Sequence, residues 1–404
     1  MKTNLIYILG MMCLSGTVSA QTTVNYTEFE QKVLDYSQTL KQSVSQRTAM
    51  QKAMKAAKTA FFPAVDATGS YQYRINKYDM DFGGMAVPME HDSYSAEVGV
   101  VQPIYAGGSI YHTYKASQIQ SQIADKSVDL TTDNLIYAAE ASYWGTAAQK
   151  EMYKTMCQYV EIISQLTKVL QDKYDDGYIS KTDLIQMQTR LKEAELQRSS
   201  SYQSYQIALQ NMNVLMGLEP DKEVGLVDSI FVELPLPAYV GADAALNVRP
   251  DYAISQLDVD YQKRQVKLAA AKYNPSLSIG FKETWGTQML NISGETMFNS
   301  NVYASVKLPL FHWGARFKST AAQKAILLGK QYALQDKQDQ ITKEVAKAWT
   351  SLTENTRQID ILDVLSAQLT WVQAYTNLIQ SYYEQKIALA DYRKATGIRY
   401  LGQK

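Results

Sequence analysis

One stretch of sequence occurs twice, and its pattern predicts the architecture of the chain. Both copies end in a Pro-containing strand and a Gly turn, and they lie 206 positions apart. Residues 63–144 reappear, loosely but in order, as residues 275–349, and each copy predicts a strand, a loop, a second strand and then a long helix. The two stretches are Gln102-Pro103-Ile104-Tyr105-Ala106-Gly107-Gly108 and Leu308-Pro309-Leu310-Phe311-His312-Trp313-Gly314.

The predicted strands alternate between apolar and polar residues. From Val65 to Tyr73 the odd positions are small, apolar or aromatic, whereas the even positions from Asp66 are polar. This period is typical of a half-buried strand on a soluble core, but each run also has about the 9 to 11 residues that a tilted strand needs to cross a bilayer. In a membrane the polar faces would line an aqueous lumen. The candidate lumen residues are Asp66, Thr68, Gln72, Arg74, Ser278 and Lys282.

Four strands per chain cannot enclose a lumen, because a barrel with an interior needs about eight. Strands inside a membrane must nevertheless close, since lipid cannot satisfy the hydrogen bonds of a free strand edge. If these are membrane strands, several chains must therefore share one barrel.

Very long helices follow the strand pairs. Gly145 is the only Gly or Pro between Ser109 and Asp176, which predicts about 100 Å of helix at ~1.5 Å per residue. Asp175-Asp176-Gly177 breaks this helix, and a second one is predicted from Thr182 to Met216. Its apolar positions follow the 3-4 spacing of a coiled coil at Leu184, Met187, Leu191 and Ala194.

The remaining segments complete the predicted organisation. A helix is expected over Thr27 to Ala60, with Thr27 as its N-cap, and another over Asp251 to Tyr273. We divide the chain into a signal peptide (1–20), a first repeat (21–218), a linker or equatorial segment (219–248) and a shortened second repeat (249–404).

Residues 1–20 have the pattern of a secretory signal. Lys2 precedes an apolar stretch, and Val18-Ser19-Ala20 forms a small-residue cleavage site, so cleavage is expected after Ala20. A membrane anchor is the weaker alternative, because the apolar stretch is shorter than about 18 residues. The residues before Cys13 lack a lipoprotein pattern, so no lipidation is expected.

The composition argues against several function classes. Lys plus Arg (40) equals Asp plus Glu (40), which gives no basic excess for nucleic acid. His91, His112 and His312 lack ligand spacing, and Gly83-Gly84 fits no phosphate-binding motif. We therefore expect no enzyme, no metal site and no cofactor.

Four motifs together resemble the TolC family of outer-membrane efflux ducts over essentially the whole chain after the signal. Arg249-Pro250-Asp251 is similar to the family's entry to its second half, and residues 174–184 are similar to its Y-x-x-G-x-x-S/T-x-x-D-L segment. Residues 362–368 resemble the matching second segment, and residues 388–397 resemble the end of the closing helix.

The resemblance implies a mainly α fold with a small β part. Three chains would form a 12-stranded transmembrane barrel from four strands each, joined to a periplasmic α-helical barrel of long coiled-coil helices. The protein would lie in the outer membrane, in contact with its lipid, as the exit duct of a tripartite efflux pump or a type I secretion system. Its partners would be a periplasmic adaptor and an inner-membrane transporter that supplies the energy.

A secreted or periplasmic coiled-coil structural or adhesion protein is the alternative. It explains the long helices and the signal, but it leaves the two pairs of alternating strands unexplained.

The resemblance also places two segments at the inner tip, where the helices would constrict the pore. A carboxylate repeated by symmetry at such a neck repels its copies and attracts cations. Asp183 alternatively has the simpler role of a helix N-terminal carboxylate, and both roles are compatible. The tip candidates are Tyr174, Gly177, Thr182, Asp183, Asp363 and Ser366.

The second repeat departs from the family pattern. The offset between the copies falls from 206 to 180 after Trp349, so about 26 residues are missing before Asp363. A rival register aligns Tyr382 and Asp391 with Tyr174 and Asp183, which would remove the final return helix instead. The first register matches more residues and is favoured.

Overall fold

A computed structural model describes residues 22–76, 79–81, 83–84, 86–88, 90–232, 234–287, 295–365 and 371–401. The predicted signal peptide lies outside these ranges. Helices account for most of the described residues, as predicted. The elements in chain order are β1 (Thr22–Val24), α1 (Tyr26–Tyr36), α2 (Gln38–Thr59), β2 (Ala64–Tyr73), β3 (Asp79–Asp81), β4 (Ala86–Pro88), β5 (Asp92–Ala106), α3 (Ser109–Asp175), α4 (Lys181–Leu215), β6 (Val224–Leu226), α5 (Ala242–Val248), α6 (Pro250–Ala271), β7 (Ser276–Gly286), β8 (Met297–Lys307), α7 (Ala315–Leu365), α8 (Trp371–Thr396) and α9 (Ile398–Leu401).

The chain divides into two compact units. The first comprises Met1–Ser37, Ile136–Leu236 and Thr353–Ala390, and the second comprises Gln38–Leu135, Pro237–Leu352 and Asp391–Lys404. None of the helices in the described part of the chain is long and apolar enough to cross a membrane.

Four strands of the second unit form an antiparallel sheet in the order β2-β5-β7-β8, and β3 pairs with β4 in a separate two-stranded sheet. Each predicted strand pair is a neighbouring pair in the four-stranded sheet, and β5 joins the two copies by pairing with β7. Among the described residues, the outer strands β2 and β8 pair on one side only, and every residue of both is exposed. The sheet is therefore open at both edges.

The predicted long helix is confirmed. α3 runs for 67 residues from Ser109 to Asp175 and passes through Gly145 without a break. α4 begins and ends within a residue of the predicted bounds, and Gly217 follows it in the left-handed region at φ 74°. The scarcity of Gly and Pro and the position of Gly217 were sufficient to predict α3 and α4, because these features act over a few residues of chain.

The predicted N-terminal helix was wrong in two details. Its N-cap is Asn25, whose side-chain oxygen accepts the Glu28 N–H at 2.8 Å, and not Thr27. Ser37 has φ −48° and ψ 116°, which interrupts the helix and separates α1 from α2. The chain leaves β1 at Val24, so the first free helical N–H groups face the Asn25 side chain before Thr27 is reached.

The first unit contains a parallel strand pair that the sequence did not indicate. β1 pairs with β6, which lies in the segment predicted as a linker. Asp228, just after β6, accepts the Tyr26 N–H and the hydroxyl of the fully buried Tyr143, each at 2.7 Å. These bonds connect the start of α1, the middle of α3 and the end of β6 around one carboxylate.

α8 contributes a fully buried lysine to the same unit. The ammonium of Lys386 donates to the Val232 carbonyl and lies 4.5 Å from the ring centre of Trp144. A carbonyl oxygen and an aromatic face both stabilise a desolvated cation, which accounts for a charge in this position.

Candidate pore-lining face and helical tips

The register of the sheet brings the predicted lumen residues onto one face. Asp66, Gly99, Lys282 and Asn301 lie side by side across the four strands. Because side chains alternate along a strand, the residues two positions away, such as Thr68, share this face. It forms a groove of about 670 Å³ lined mainly by Ser, Thr, Asn and Gln side chains.

The opposite face of the same sheet is apolar and exposed. Val65 is 66% exposed, Val302 84% and Val306 61%. Two faces of opposite polarity, both open, suit a sheet that separates an aqueous interior from lipid.

Glu97 is a charged residue of the polar face that the sequence analysis did not select. Its carboxylate forms an ion pair with the Lys282 ammonium on the neighbouring strand. Its position between Ala96 and Val98 in an alternating strand was the signal that could have identified it. Lys282 therefore carries a partner charge, which moderates its effect on the groove.

Tyr303 covers Gly280 on this face. A Cβ atom at Gly280 would lie 2.5 Å from the Tyr303 ring, so the ring rests directly on the glycine backbone.

Arg74 follows the last residue of β2 and donates to the Glu90 carbonyl at 3.3 Å. The structure therefore places Arg74 at the end of the strand pair and not in the rows across the sheet.

The first tip segment is the tight turn between α3 and α4. Gly177 adopts φ 81°, and its N–H donates to the Tyr174 carbonyl at 2.9 Å. Ser180 caps α4 by accepting the Asp183 N–H, and the Asp183 carboxylate in turn accepts the Ser180 N–H and hydroxyl at 3.3 and 2.7 Å. Thr182 is exposed in the first turn of α4. Asp183 thus serves as a helix N-terminal carboxylate, and its role in a charged ring stays a proposal.

This capping box supports a prediction at Ser180. Replacement by alanine removes the acceptor of the Asp183 N–H and should destabilise the turn by about 1 kcal/mol. We expect faster hydrogen exchange of the amides at the start of α4, measured by mass spectrometry. Ser199, which lies inside α4 and is exposed, is the matched control, and an equal effect of Ser199→Ala would contradict the assignment.

The long helix of the second repeat is shorter than that of the first. α7 continues beyond Trp349 to Leu365, about half as far as α3 continues beyond the equivalent Tyr143. The Asn355 side chain of α7 donates to the Glu384 carbonyl of α8 at 3.3 Å, and the Gln385 side chain of α8 donates to the Thr356 hydroxyl at 3.2 Å, so the two helices pack side by side.

α8 (Trp371–Thr396) follows α7 as a separate helix, and residues 366–370 lie outside the described ranges. The favoured register, with its shortened second repeat, stays a prediction. Asp363 belongs to the last turn of α7, while its side chain and all of Ser366 lie outside the described residues.

Arg249-Pro250-Asp251 forms a nearly buried ionic network in the second unit. Arg249 donates to both Asp251 oxygens (2.9 and 2.7 Å), to Glu344 (2.8 Å) and to the Ala395 carbonyl (3.0 Å). Lys337 lies 2.8 Å from the same Asp251 carboxylate. Burial would raise the pKa of Asp251, but the bonds from Arg249 and Lys337 outweigh it and lower the pKa to about 2. The motif thus ties the start of α6 to α7 and α8.

No group of three or more His, Cys, Asp or Glu side chains is placed to hold a metal ion within the described ranges. The polar face and the turn between α3 and α4 present charged and hydrogen-bonding side chains.

Comparison with known proteins decides the family. A family model described as outer membrane efflux protein matches residues 30–218 and 241–362, well over half of the chain. The chain belongs to the outer membrane efflux protein family. Membership in this family assigns it to the outer membrane, and it confirms the resemblance that the four motifs indicated.

Individual relatives are distant in sequence. The alkaline protease secretion protein AprF of Pseudomonas aeruginosa is 21% identical over 278 residues, an alignment that covers 67% of this chain and 57% of AprF. The chain thus aligns with little more than half the length of this relative.

Solved structures of membrane proteins share the fold. A membrane protein from Pseudomonas aeruginosa superposes with a TM-score of 0.80 at 14% identity, with 92% of each chain covered. The Campylobacter jejuni CmeC outer membrane channel superposes with a TM-score of 0.74 at 16% identity, covering 92% of this chain and 85% of CmeC. At these identities the likeness establishes the fold alone.

Proposed function

We propose that this chain forms the passive exit duct of a tripartite efflux pump or a type I secretion system. The observation that carries the proposal is the open four-stranded sheet, with one polar face, one apolar face and two unpaired edges. Family membership and the type I secretion relative supply the context. Solutes would pass along the polar face, and energy would come from an inner-membrane transporter.

Closure of the sheet requires other copies of the chain. All three pairings are antiparallel, so β2 and β8 run in opposite directions. β8 of one copy can therefore pair antiparallel with β2 of the next, and three copies give twelve strands without a free edge. One copy supplies too few strands for a lumen.

In this homotrimer the two repeats, residues 21–218 and 249–404, would each supply a strand pair and a helical hairpin, with residues 219–248 as the equatorial segment. The helical hairpins would form the periplasmic α-helical barrel. Their tips would narrow the pore, and a periplasmic adaptor would dock there. The candidates for the constriction remain Tyr174, Gly177, Thr182, Asp183, Asp363 and Ser366.

A secreted or periplasmic coiled-coil structural or adhesion protein is the second candidate. Such a protein would consist of long helices and would have no strands in a membrane. The apolar exposed face of the sheet argues against it, because Val302 and Phe298 (75% exposed) would then face water in every copy.

The native mass of the protein extracted from the outer membrane in mild detergent tests the proposal. We expect the mass of three chains plus a detergent belt, and ion conductance after reconstitution into a planar bilayer. A monomer that stays in solution without detergent would overturn the duct.

The pore face supports a prediction at Lys282. In a trimer, Lys282→Glu replaces three positive charges of the lumen by three negative ones and leaves each of them beside Glu97. The cation-to-anion permeability ratio should then rise several-fold, measured as the reversal potential in a salt gradient.

The neighbouring Glu283 provides a matched control, because it occupies the opposite face of the same strand. Glu283→Gln should leave the reversal potential unchanged. A fall of the cation-to-anion permeability ratio with Glu283→Gln and no rise with Lys282→Glu, at unchanged trimer mass, would mean that the two faces are assigned wrongly.

A further inference from the structure

A basic groove lies between α3, α6 and α7 in the second unit. Its volume is about 540 Å³. Four cationic side chains line it, Lys115 from α3 and Lys263, Arg264 and Lys267 from α6, together with one carboxylate, Asp260. The groove thus has a formal excess of three positive charges within a short length of two helices.

The cations of this groove are only partly neutralised. Lys263 forms an ion pair with Asp260 at 2.8 Å, and Lys115 donates to the Gln118 side-chain oxygen at 3.0 Å. Arg264 and Lys267 form no ion pair with any of the residues that the structure describes. Like charges held together without counter-charges destabilise each other unless an anion joins them.

His112 lies one turn before Lys115 on α3, and the positive charges of the groove affect its pKa. Burial lowers its pKa, and the positive charges of Lys267 and Arg264 lower it further. Its buried Nδ1 has no hydrogen-bond partner among the described residues. The imidazole therefore binds a proton less readily than a free histidine side chain does.

The rest of the groove is apolar. Ile119, Leu257, Val266 and Leu327 line it beside the cations, and Gln122 adds an amide donor. A small hydrated anion would leave these side chains facing water. A molecule with a charged head and an apolar body satisfies both parts of the lining.

We propose that this groove binds the phosphate group of an amphiphilic anion. Arg264 offers a planar set of N–H donors that matches two phosphate oxygens, and Lys115 and Lys267 supply point charges for the remaining ones. The apolar part of the ligand would lie on Leu257 and Leu327. This site shares no lining residue with the groove on the polar face of the sheet.

The position of the groove suggests two sources of such a ligand. Lys115 lies in the second turn of α3, and Lys267 lies about one turn before the end of α6, so both are within about 10 Å of the helix ends that adjoin β5 and β7. If these strands span the outer membrane, the groove lies near the phosphates of its periplasmic leaflet. A soluble phosphate-bearing amphiphile passing along the duct would offer the same chemistry.

Native mass spectrometry of the full-length protein in detergent tests the site. Dihexanoylphosphatidylglycerol, which is anionic, should form an adduct, whereas zwitterionic dihexanoylphosphatidylcholine should bind at least tenfold more weakly. Arg264→Gln combined with Lys267→Gln should weaken the phosphatidylglycerol adduct at least tenfold. Lys318→Gln with Lys324→Gln on α7 makes the same change of net charge outside the groove and should leave the adduct unchanged.

Isothermal calorimetry with inorganic phosphate and with the soluble amphiphile dodecyl phosphate distinguishes the sources. Preference for phosphatidylglycerol over dodecyl phosphate assigns the groove to membrane lipid, and the reverse preference assigns it to a soluble amphiphile. Inorganic phosphate should bind more weakly than either. Equal adducts of phosphatidylglycerol with the Arg264/Lys267 variant and the unmodified chain, at equal native mass and circular dichroism, overturn the proposal.

Discussion

Replacement of Arg249 by alanine should destabilise the protein by about 3 to 5 kcal/mol, the usual cost of removing one partner from a buried ion pair. The Arg249 side chain is 9% exposed and the Asp251 side chain 12%, so water cannot replace the lost bonds. Alanine leaves Asp251 with Lys337 and leaves the Ala395 carbonyl without the guanidinium. The contribution of Glu344 is smaller, because its side chain is 49% exposed.

Urea unfolding in detergent, followed by circular dichroism at 222 nm, measures this effect. Lys192→Ala is the control, because Lys192 forms an ion pair with Glu195 on α4 but its side chain is 76% exposed. That substitution should cost less than about 1 kcal/mol. Similar losses from the two substitutions would show that the Arg249 network contributes no more than a surface pair.

The same network predicts sensitivity to acid. The pKa of Asp251 is about 2 in the folded protein against an ordinary value of 3.8. The ionised carboxylate therefore stabilises the fold fully above pH 3.8, and this contribution is lost as the pH falls from there towards 2. We expect a smaller loss over this window in Arg249→Ala than in the unmodified chain, measured by urea unfolding at each pH.

Replacement of Gly107 by alanine should be the second most damaging change. Gly107 adopts φ 63°, where a residue with a Cβ atom costs about 1 to 2 kcal/mol. That Cβ would also lie 2.6 Å from the Ala271 carbonyl oxygen and 2.9 Å from the Asn274 Cβ. Two neighbouring connections, β5–α3 and α6–β7, would have to move apart, and the Asn274 bond to the Gly107 carbonyl (2.9 Å) would weaken. Together these effects should cost about 3 to 4 kcal/mol.

Gly314 distinguishes the cost of a Cβ atom at positive φ from the cost of the close contacts at Gly107. It closes the corresponding stretch of the second copy and has φ 73°, but no atom lies within 4 Å of a Cβ placed there. Gly314→Ala should therefore show only the conformational cost of about 1 to 2 kcal/mol. If Gly107→Ala proves no more damaging than Gly314→Ala in urea unfolding, the close approach at Gly107 has no energetic weight.

Local patterns in the sequence predicted much of the fold correctly. The repeated stretch ending in Gly107-Gly108 and in Gly314 located both strand pairs, and alternation from Asp66 onwards identified the two faces of the sheet. The stretch from Ser109 to Asp176 contains no Gly or Pro other than Gly145, and this predicted α3. These signals are sufficient because strand period, glycine conformation and helix propensity act over a few residues.

Details that depend on several competing partners were harder to predict. Thr27 and Asn25 are both acceptable N-caps, and only the exit of the chain from β1 selects Asn25. Glu97 was missed because an isolated charge in an alternating strand has no evident partner until β7 places Lys282 beside it. The packing of α8 beside α7 became evident only from the contacts of Asn355 and Thr356 with α8.

The class of the protein follows from short-range patterns, because the repeated strand pairs, the long helices and the motifs around Asp183 and Arg249 each involve neighbouring residues. The pairing of distant segments is evident only in the folded chain. β5 joins β7 across the two repeats, β1 joins β6, and α3, α6 and α7 bring Lys115, Arg264 and Lys267 into one groove. The physical reason is that many pairings satisfy the same local patterns, and the one adopted is set by burial and hydrogen bonding over the whole chain.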